Sequence, residues 1–177
     1  MQAHPRLRLL SDEKPVTFRP ETGSGVFMGI EEAVALFSEI ELFADFSHEQ
    51  LRLLAFVAED TALERGAVLY SAGDAANGGY VLVSGVLVAS EDPAARGAYR
   101  VLPPALVGEF GLMLTRPRGM TMTADGPAKL LFVPREAFLK LLRNEPELAG
   151  QVAARLRRQL AHYLDAVTQM GERFSRE

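Results

Sequence analysis

The chain has 177 residues, 48% hydrophobic and 24% charged, which suits one soluble globular domain with appendages and a buried core. Its formal net charge of −4 gives no electrostatic reason to expect nucleic acid as the main partner, and the absence of cysteine excludes disulfides, thiolate catalysis and Cys-based zinc sites. No apolar run approaches the ~20 residues of a membrane span, and Arg6 and Arg8 interrupt the leucines of the only stretch resembling a signal peptide, so a cytoplasmic protein is expected.

Residues 1–29 form a polar arm punctuated by Pro5, Pro15, Pro20, Gly23 and Gly25, with Phe18 and Phe27 as anchors and His4 solvated. From Ile30 to Ala58 apolar residues recur at helical spacing. Leu36, Phe37, Ile40 and Phe43 make one stripe, and Leu51, Leu54, Ala55 and Ala58 another. Ser47-His48-Glu49-Gln50 between them matches a capping box, with His48 exposed.

At Thr61 the period changes to alternation. Strands are predicted at Val68–Tyr70, Tyr80–Val83, Val86–Ala89, Tyr99–Leu102 and Lys129–Val133, with turns at Gly73-Asp74 and Asn77-Gly78-Gly79. Ser84-Gly85 reads as a two-residue hairpin connection, and Glu91–Gly97 as a polar loop. Many short strands with glycine-rich turns point to a β-sandwich or roll.

Within this region Val107–Ala124 reads VGEFGLMLTRPRGMTMTA. Gly108-Glu109 opens a short apolar segment, Thr115–Gly119 is turn-like with two guanidinium groups, and Met120–Ala124 alternates like a strand. A strand, short helix, loop and strand in that order bring one carboxylate and one arginine close to free backbone N–H groups. That arrangement suits a small anion carrying a hydroxyl, such as a sugar phosphate.

Helical spacing returns at Arg135, with Phe138, Leu141 and Leu142 on one face, and Asn144-Glu145-Pro146 ends that helix. A long helix runs from Glu147 to about Met170. Leu156, Leu160, Tyr163, Val167, Met170 and Phe174 form a heptad seam that packs on the roll or pairs with a second copy. Arg155, Arg157 and Arg158 read as a solvated face, and His162 as exposed.

The stretch Gly108, Glu109, Phe110, Gly111, Leu112, Met113, then Pro117, Arg118, Gly119, Met120, Thr121 and Met122 resembles the phosphate-binding cassette of the cyclic nucleotide-binding domain family. That family includes the catabolite activator proteins and the regulatory subunits of cyclic-AMP-dependent kinase. Gly66, Gly73-Asp74, Tyr80 and Gly85 match its β-roll signature, so the resemblance runs from about Leu36 to the end of the chain.

The resemblance implies a mainly β fold with flanking α-helices: a jelly-roll-like β-roll, or double-stranded β-helix, followed by a long C-terminal dimerisation helix. The expected divisions are an arm at 1–29 and a cyclic nucleotide-binding domain at 30–145, with helical entry at 30–60 and roll at 61–134. A helix at 146–177 would form a homodimer interface.

The ligand implied is cyclic AMP or cyclic GMP, with no other cofactor and no metal. Arg118 would offer two N–H donors to the phosphate, and Glu109 would accept from the ribose 2′-hydroxyl. Gly108, Phe110 and Gly111 would shape the short helix, and Gly111 and Gly119 would leave room for backbone approach. Met120 replaces a usually small residue and would narrow the pocket. Thr121 either lines the phosphate site or is a plain strand residue, and Arg116 faces solvent. Gly119 stands where cyclic-GMP-preferring members often carry a hydroxyl, which tilts the reading to cyclic AMP. Tyr163 either meets the purine or packs in the seam.

Only Glu172–Glu177 follow Gly171, so no helix-turn-helix and no direct DNA binding are expected. The implied protein is not an enzyme. It is a sensor that changes shape on binding and signals to a separate protein effector. The alternatives are a ligand-free or differently liganded Crp/Fnr-like interaction module or truncated regulator, and a cupin-like metal enzyme. His4, His48 and His162 fall outside every predicted strand, which argues against the cupin.

Overall fold

The computed structural model describes residues 28–90 and 98–174, with side chains of the last helix as far as His162. The arm's Pro5–Gly25 markers, the Glu91–Gly97 loop and the side chains of Tyr163, Val167, Met170 and Phe174 lie outside the described residues.

The run from Ile30 to Ala58 is three pieces. Helix α1 (Ile30–Ser38) starts at Gly29, whose N–H donates to Glu32 Oε2 at 3.1 Å. A 3-10 turn, Glu41–Phe43, follows and buries Leu42 and Phe43. Helix α2 (His48–Val57) starts at the capping box: Gln50 N–H donates to Ser47 Oγ at 3.2 Å, and Ser47 N–H to Gln50 Oε1 at 2.8 Å.

Eight strands follow, β1 (Glu59–Leu63), β2 (Val68–Tyr70), β3 (Gly78–Ser84), β4 (Leu87–Ser90), β5 (Tyr99–Val101), β6 (Ala105–Val107), β7 (Thr121–Ala124) and β8 (Ala128–Pro134). They make two four-stranded antiparallel sheets, ordered β1-β8-β3-β6 and β2-β7-β4-β5. Helix α3 (Arg135–Arg143) and the long α4 (Pro146–Phe174) close the chain. This is a β-roll with flanking helices and a long C-terminal helix.

Alternation along the strands of the first sheet creates two cores. Leu82 and Leu130 are cross-strand partners and face the second sheet, where Leu87, Ala89, Met122 and Ala124 meet them. Val81 and Leu131, the neighbouring pair, face the other way into Phe37, Phe43, Leu54 and Phe138. The rings of Phe43 and Phe46 both approach Phe138, with centroids 6.2 and 6.0 Å apart, so the helical segments share one aromatic cluster.

Three expectations change here. Ser84-Gly85 is not a hairpin, because β3 and β4 belong to different sheets and do not pair. Gly85 is a corner between sheets: its φ is +88°, and a Cβ there would collide with Pro127 O and lie 2.7 Å from Ala128 Cα. Gly78-Gly79 is not a turn but the start of β3, where a Cβ on Gly78 would strike Val133 O and the Phe132 ring. Arg155 is not on a solvated face. Its side chain is 19% exposed and binds Asp45 Oδ2 through Nη2 at 2.7 Å and Nε at 2.8 Å. Arg157, Arg158 and His162 are exposed.

The first half of α4 is held by its own chain. Leu148, Val152 and Leu156 are buried in the helix-side core, whereas Leu160, the next seam position, is 38% exposed. Among the described residues no helix is long and apolar enough to cross a membrane.

Candidate functional site

Strand β6 delivers the chain to Gly108, whose φ of +70° turns it into a 3-10 helix, Glu109–Leu112. Leu112 is buried in the helix-side core, with Phe110 and Met113 packed against it, so one side of this turn is fixed by burial. Arg135, the first residue of α3, donates from Nη1 to Leu114 O at 2.7 Å and ties the following loop to that helix.

The return path is fixed by the loop after β2. Asp74 Oδ2 accepts from Ser71 N–H at 2.8 Å, which holds the loop in a turn. Arg118 N–H donates to Asp74 O at 2.8 Å, Gly73 N–H donates to Arg118 O at 2.7 Å, and Pro117 forms a bridge with Ala75. Thr121 Oγ1 accepts from Ala72 N–H at 3.1 Å. Arg118 therefore enters the roll from a backbone clamped on both sides.

Arg118 is 7% exposed. Nη2 donates to Gly78 O at 2.9 Å and Nη1 to Gly108 O at 3.2 Å, while Cζ lies 4.3 Å from the Tyr70 ring centroid and 5.8 Å from that of Tyr80. The glycines make this possible. A Cβ on Gly108 would overlap Arg118 Nη1, and one on Gly111 would strike Gly78 O and lie 2.9 Å from Nη1.

No carboxylate among the described residues lies within ion-pair distance of Arg118. Glu109 is near enough to feel its charge but does not pair with it. Burial pushes the Glu109 carboxyl above the ordinary range, while a hydrogen bond from its own backbone N–H and the Arg118 charge pull the other way. The Tyr70 phenol is pushed up to about 12 by burial, opposed by Arg118, and burial likewise raises Tyr80. The site is thus a desolvated cation stacked on tyrosine, satisfied only by neutral carbonyls, beside an acid that burial discourages from ionising. Such an arrangement is chemically suited to an anion.

Of the residues expected at the site, Gly108, Gly111 and Arg118 come together, with Glu109 beside them. Phe110 belongs mainly to the helix-side core. Met120 packs at the edge of the inter-sheet core, where Tyr99 O–H donates to its sulfur at 3.4 Å. Gly119 is exposed with nothing within 4 Å of an added Cβ, and Arg116 is exposed. The Tyr163 side chain lies outside the described residues. Tyr70 and Gly78, which engage Arg118, were not anticipated. Alternation could not have found Tyr70, because Val68 two residues earlier is exposed and the strand register shifts between them.

The fold is a two-sheet roll that buries the Arg118 guanidinium without a carboxylate partner among the described residues. Residues 60–145 match the family model described as the cyclic nucleotide-binding domain. A cyclic nucleotide-binding-like protein from Brucella abortus bv. 1 str. 9-941 is 31% identical with a TM-score of 0.57, covering 63% of this chain and 97% of that one. The N-terminal domain of a transcriptional regulator from Streptomyces coelicolor A3(2) is 30% identical with a TM-score of 0.60, covering 71% and 90%. The catabolite activator protein of Thermus thermophilus is 25% identical with a TM-score of 0.60, covering 72% and 62%. Comparison with curated proteins gave no match. The chain belongs to the cyclic nucleotide-binding domain family.

Proposed function

We propose that this protein is a non-enzymatic sensor that binds a 3′,5′-cyclic purine nucleotide, cyclic AMP in preference to cyclic GMP, and passes the resulting change of shape to a separate protein. The observation that carries the reading is the Arg118 guanidinium, buried without a carboxylate partner among the described residues. A singly charged phosphodiester supplies the opposite charge, and its two exocyclic oxygens match the fork of donors on one guanidinium edge. Glu109, once ionised, is an acceptor for the ribose 2′-hydroxyl. The preference for cyclic AMP rests on Gly119, which offers no hydroxyl to a guanine.

Signalling would run through the 3-10 helix. Phe110, Leu112 and Met113 share a core with Phe138 and Leu142 of α3 and with Leu148 of α4, so inward movement of the cassette repacks the base of the long helix. Exposed Leu160 lies on the face that would meet a second copy. Titration calorimetry and thermal shift with cyclic AMP and cyclic GMP test the reading: ligand at 100 times Kd stabilises by ~2.7 kcal/mol, and no shift with either removes it.

One observation favours the second reading, a ligand-free interaction module. Gly78 O, Gly108 O and the Tyr70 ring supply Arg118 with partners from the protein itself. The same titrations separate the two.

A further inference from the structure

Among the described residues, Phe56 of α2 is the most exposed large apolar side chain, at 75%. It does not stand alone. Leu53 is 55% exposed and Val57 37%, and with Phe56 they occupy the outward side of a helix whose inward side buries Leu51 and Leu54. The start of α1 lies alongside: Glu31 Oε1 binds Arg52 Nη1 at 3.1 Å, one turn before Phe56, and the neighbouring Ile30 is exposed as well. A lone surface leucine needs no explanation, but several large apolar groups along one helical ridge mark an interaction site.

Charge states what kind of partner fits. From Ile30 to Asp60 the chain carries eight carboxylates against one arginine, Arg52, and Glu31 already binds that arginine. Glu49, one turn before Leu53, and Glu59, just past the end of α2, are both exposed. The ridge is therefore apolar along its crest and acidic at both ends, which repels an acidic partner and attracts a basic one.

We infer that this face of α2 docks a basic amphipathic helix of the effector protein. The apolar side of that helix covers Leu53, Phe56 and Val57, and its lysines or arginines meet Glu49 and Glu59. The effector comes from the sensor reading above, on which the inference rests, and the docking face names its chemistry. Leu51 and Leu54, on the other side of α2, share the helix-side core with Leu112 of the cassette. A helix docked outside α2 and a ligand at the cassette thus act on one packed core.

The test uses the full chain and a dye-labelled helical peptide of leucine and lysine about five turns long, beside its leucine and glutamate counterpart. We expect a saturable rise in anisotropy with the lysine peptide and none with the glutamate peptide. Phe56→Ser should weaken the lysine peptide about 10-fold with no fall in Tm, and Glu49→Lys about 3-fold. Leu53→Ser replaces the first variant should it melt early. Equal binding of the two peptides, or a Phe56→Ser protein that binds like the parent, overturns the inference. So does a dimer that Phe56→Ser turns into a monomer in sedimentation, which puts a second copy on the face. Peptide binding seen only after removal of residues 1–27 overturns it too, because the chain's own arm then holds the face. Calorimetry with cyclic AMP separates the two readings: a parent that binds the lysine peptide through Phe56 but no nucleotide loses the sensor reading and keeps the docking face.

Discussion

The guanidinium of Arg118 lies across the face of Tyr70, Cζ 4.3 Å from the ring centroid, and each group alters the other's chemistry. The ring replaces water over a buried cation, and the cation holds the phenol lower than burial alone would set it. Arg118 is thereby held in place by the protein itself.

Replacing Arg118 by Leu is expected to weaken cyclic nucleotide binding about 100-fold, through loss of ~3 kcal/mol of charge-assisted bonding. The ligand-free protein should melt no lower than the parent, because the change removes a buried charge that has no ion-pair partner among the described residues. Calorimetric titration and a melting curve check both halves; a large drop in Tm would show that Arg118 serves the fold rather than the ligand.

Tyr70→Leu is expected to cost about 5-fold in affinity, since a stacked guanidinium contributes ~1 kcal/mol, whereas Tyr70→Phe keeps the ring face and binds like the parent. Equal affinities for all three proteins would mean that the stacking is incidental.

Burial lifts the Glu109 pKa above its unfolded value. Its protonated form therefore favours folding below the ordinary carboxylate pKa, and that contribution is lost as pH rises through the lifted value. Glu109→Gln should melt above the parent at neutral pH, with the advantage vanishing in acid. Nucleotide affinity of the parent should fall on acidification through the lifted pKa, and the variant should bind about 10-fold more weakly at neutral pH with no dependence in that window. Parallel pH profiles for the two proteins would rule out Glu109 as the hydroxyl acceptor.

The two glycines flanking this machinery should behave oppositely. Gly108→Ala forces a Cβ into left-handed backbone, ~1–2 kcal/mol, and into the Arg118 guanidinium, so both Tm and affinity fall. Gly119→Ala meets nothing within 4 Å and leaves Tm unchanged. Gly119→Thr should narrow the preference for cyclic AMP over cyclic GMP, read as the ratio of the two dissociation constants.

Arg155 and Asp45 join α4 to the segment after the 3-10 turn, with Arg155 19% and Asp45 33% exposed. A double-mutant cycle with Arg155→Met and Asp45→Asn should give a coupling of ~1 kcal/mol from melting or urea unfolding. Zero coupling would make Leu148, Val152 and Leu156 the whole of the attachment.

Much of this was legible in residue order because it depends on local rules. The Ser47 cap, the swing from helical to alternating period, and the glycine-framed Glu109 and Arg118 each follow from neighbours in sequence. What escaped depends on partners far along the chain. Gly85 has the φ of a hairpin glycine, and only Pro127 and Ala128 reveal that it turns a corner between sheets. Strand β6 is three residues after two prolines, too short to alternate visibly, and gains its identity by pairing with Tyr80–Leu82. Arg155 looked solvated because Asp45, which pairs with it, is 110 positions away.

The pairing of β8 has a consequence for how the protein is made. Among the described residues, β8 is in the first sheet the only neighbour of β1 and one of two for β3, joining Glu59 to Phe132 and Gly78 to Pro134. A chain leaving the ribosome exposes Val81 and Leu82 long before their partners exist, and the first sheet stays split until residue 134 has been synthesised. Truncation upstream of that point yields no smaller receptor, only open strand edges suited to pairing with another chain.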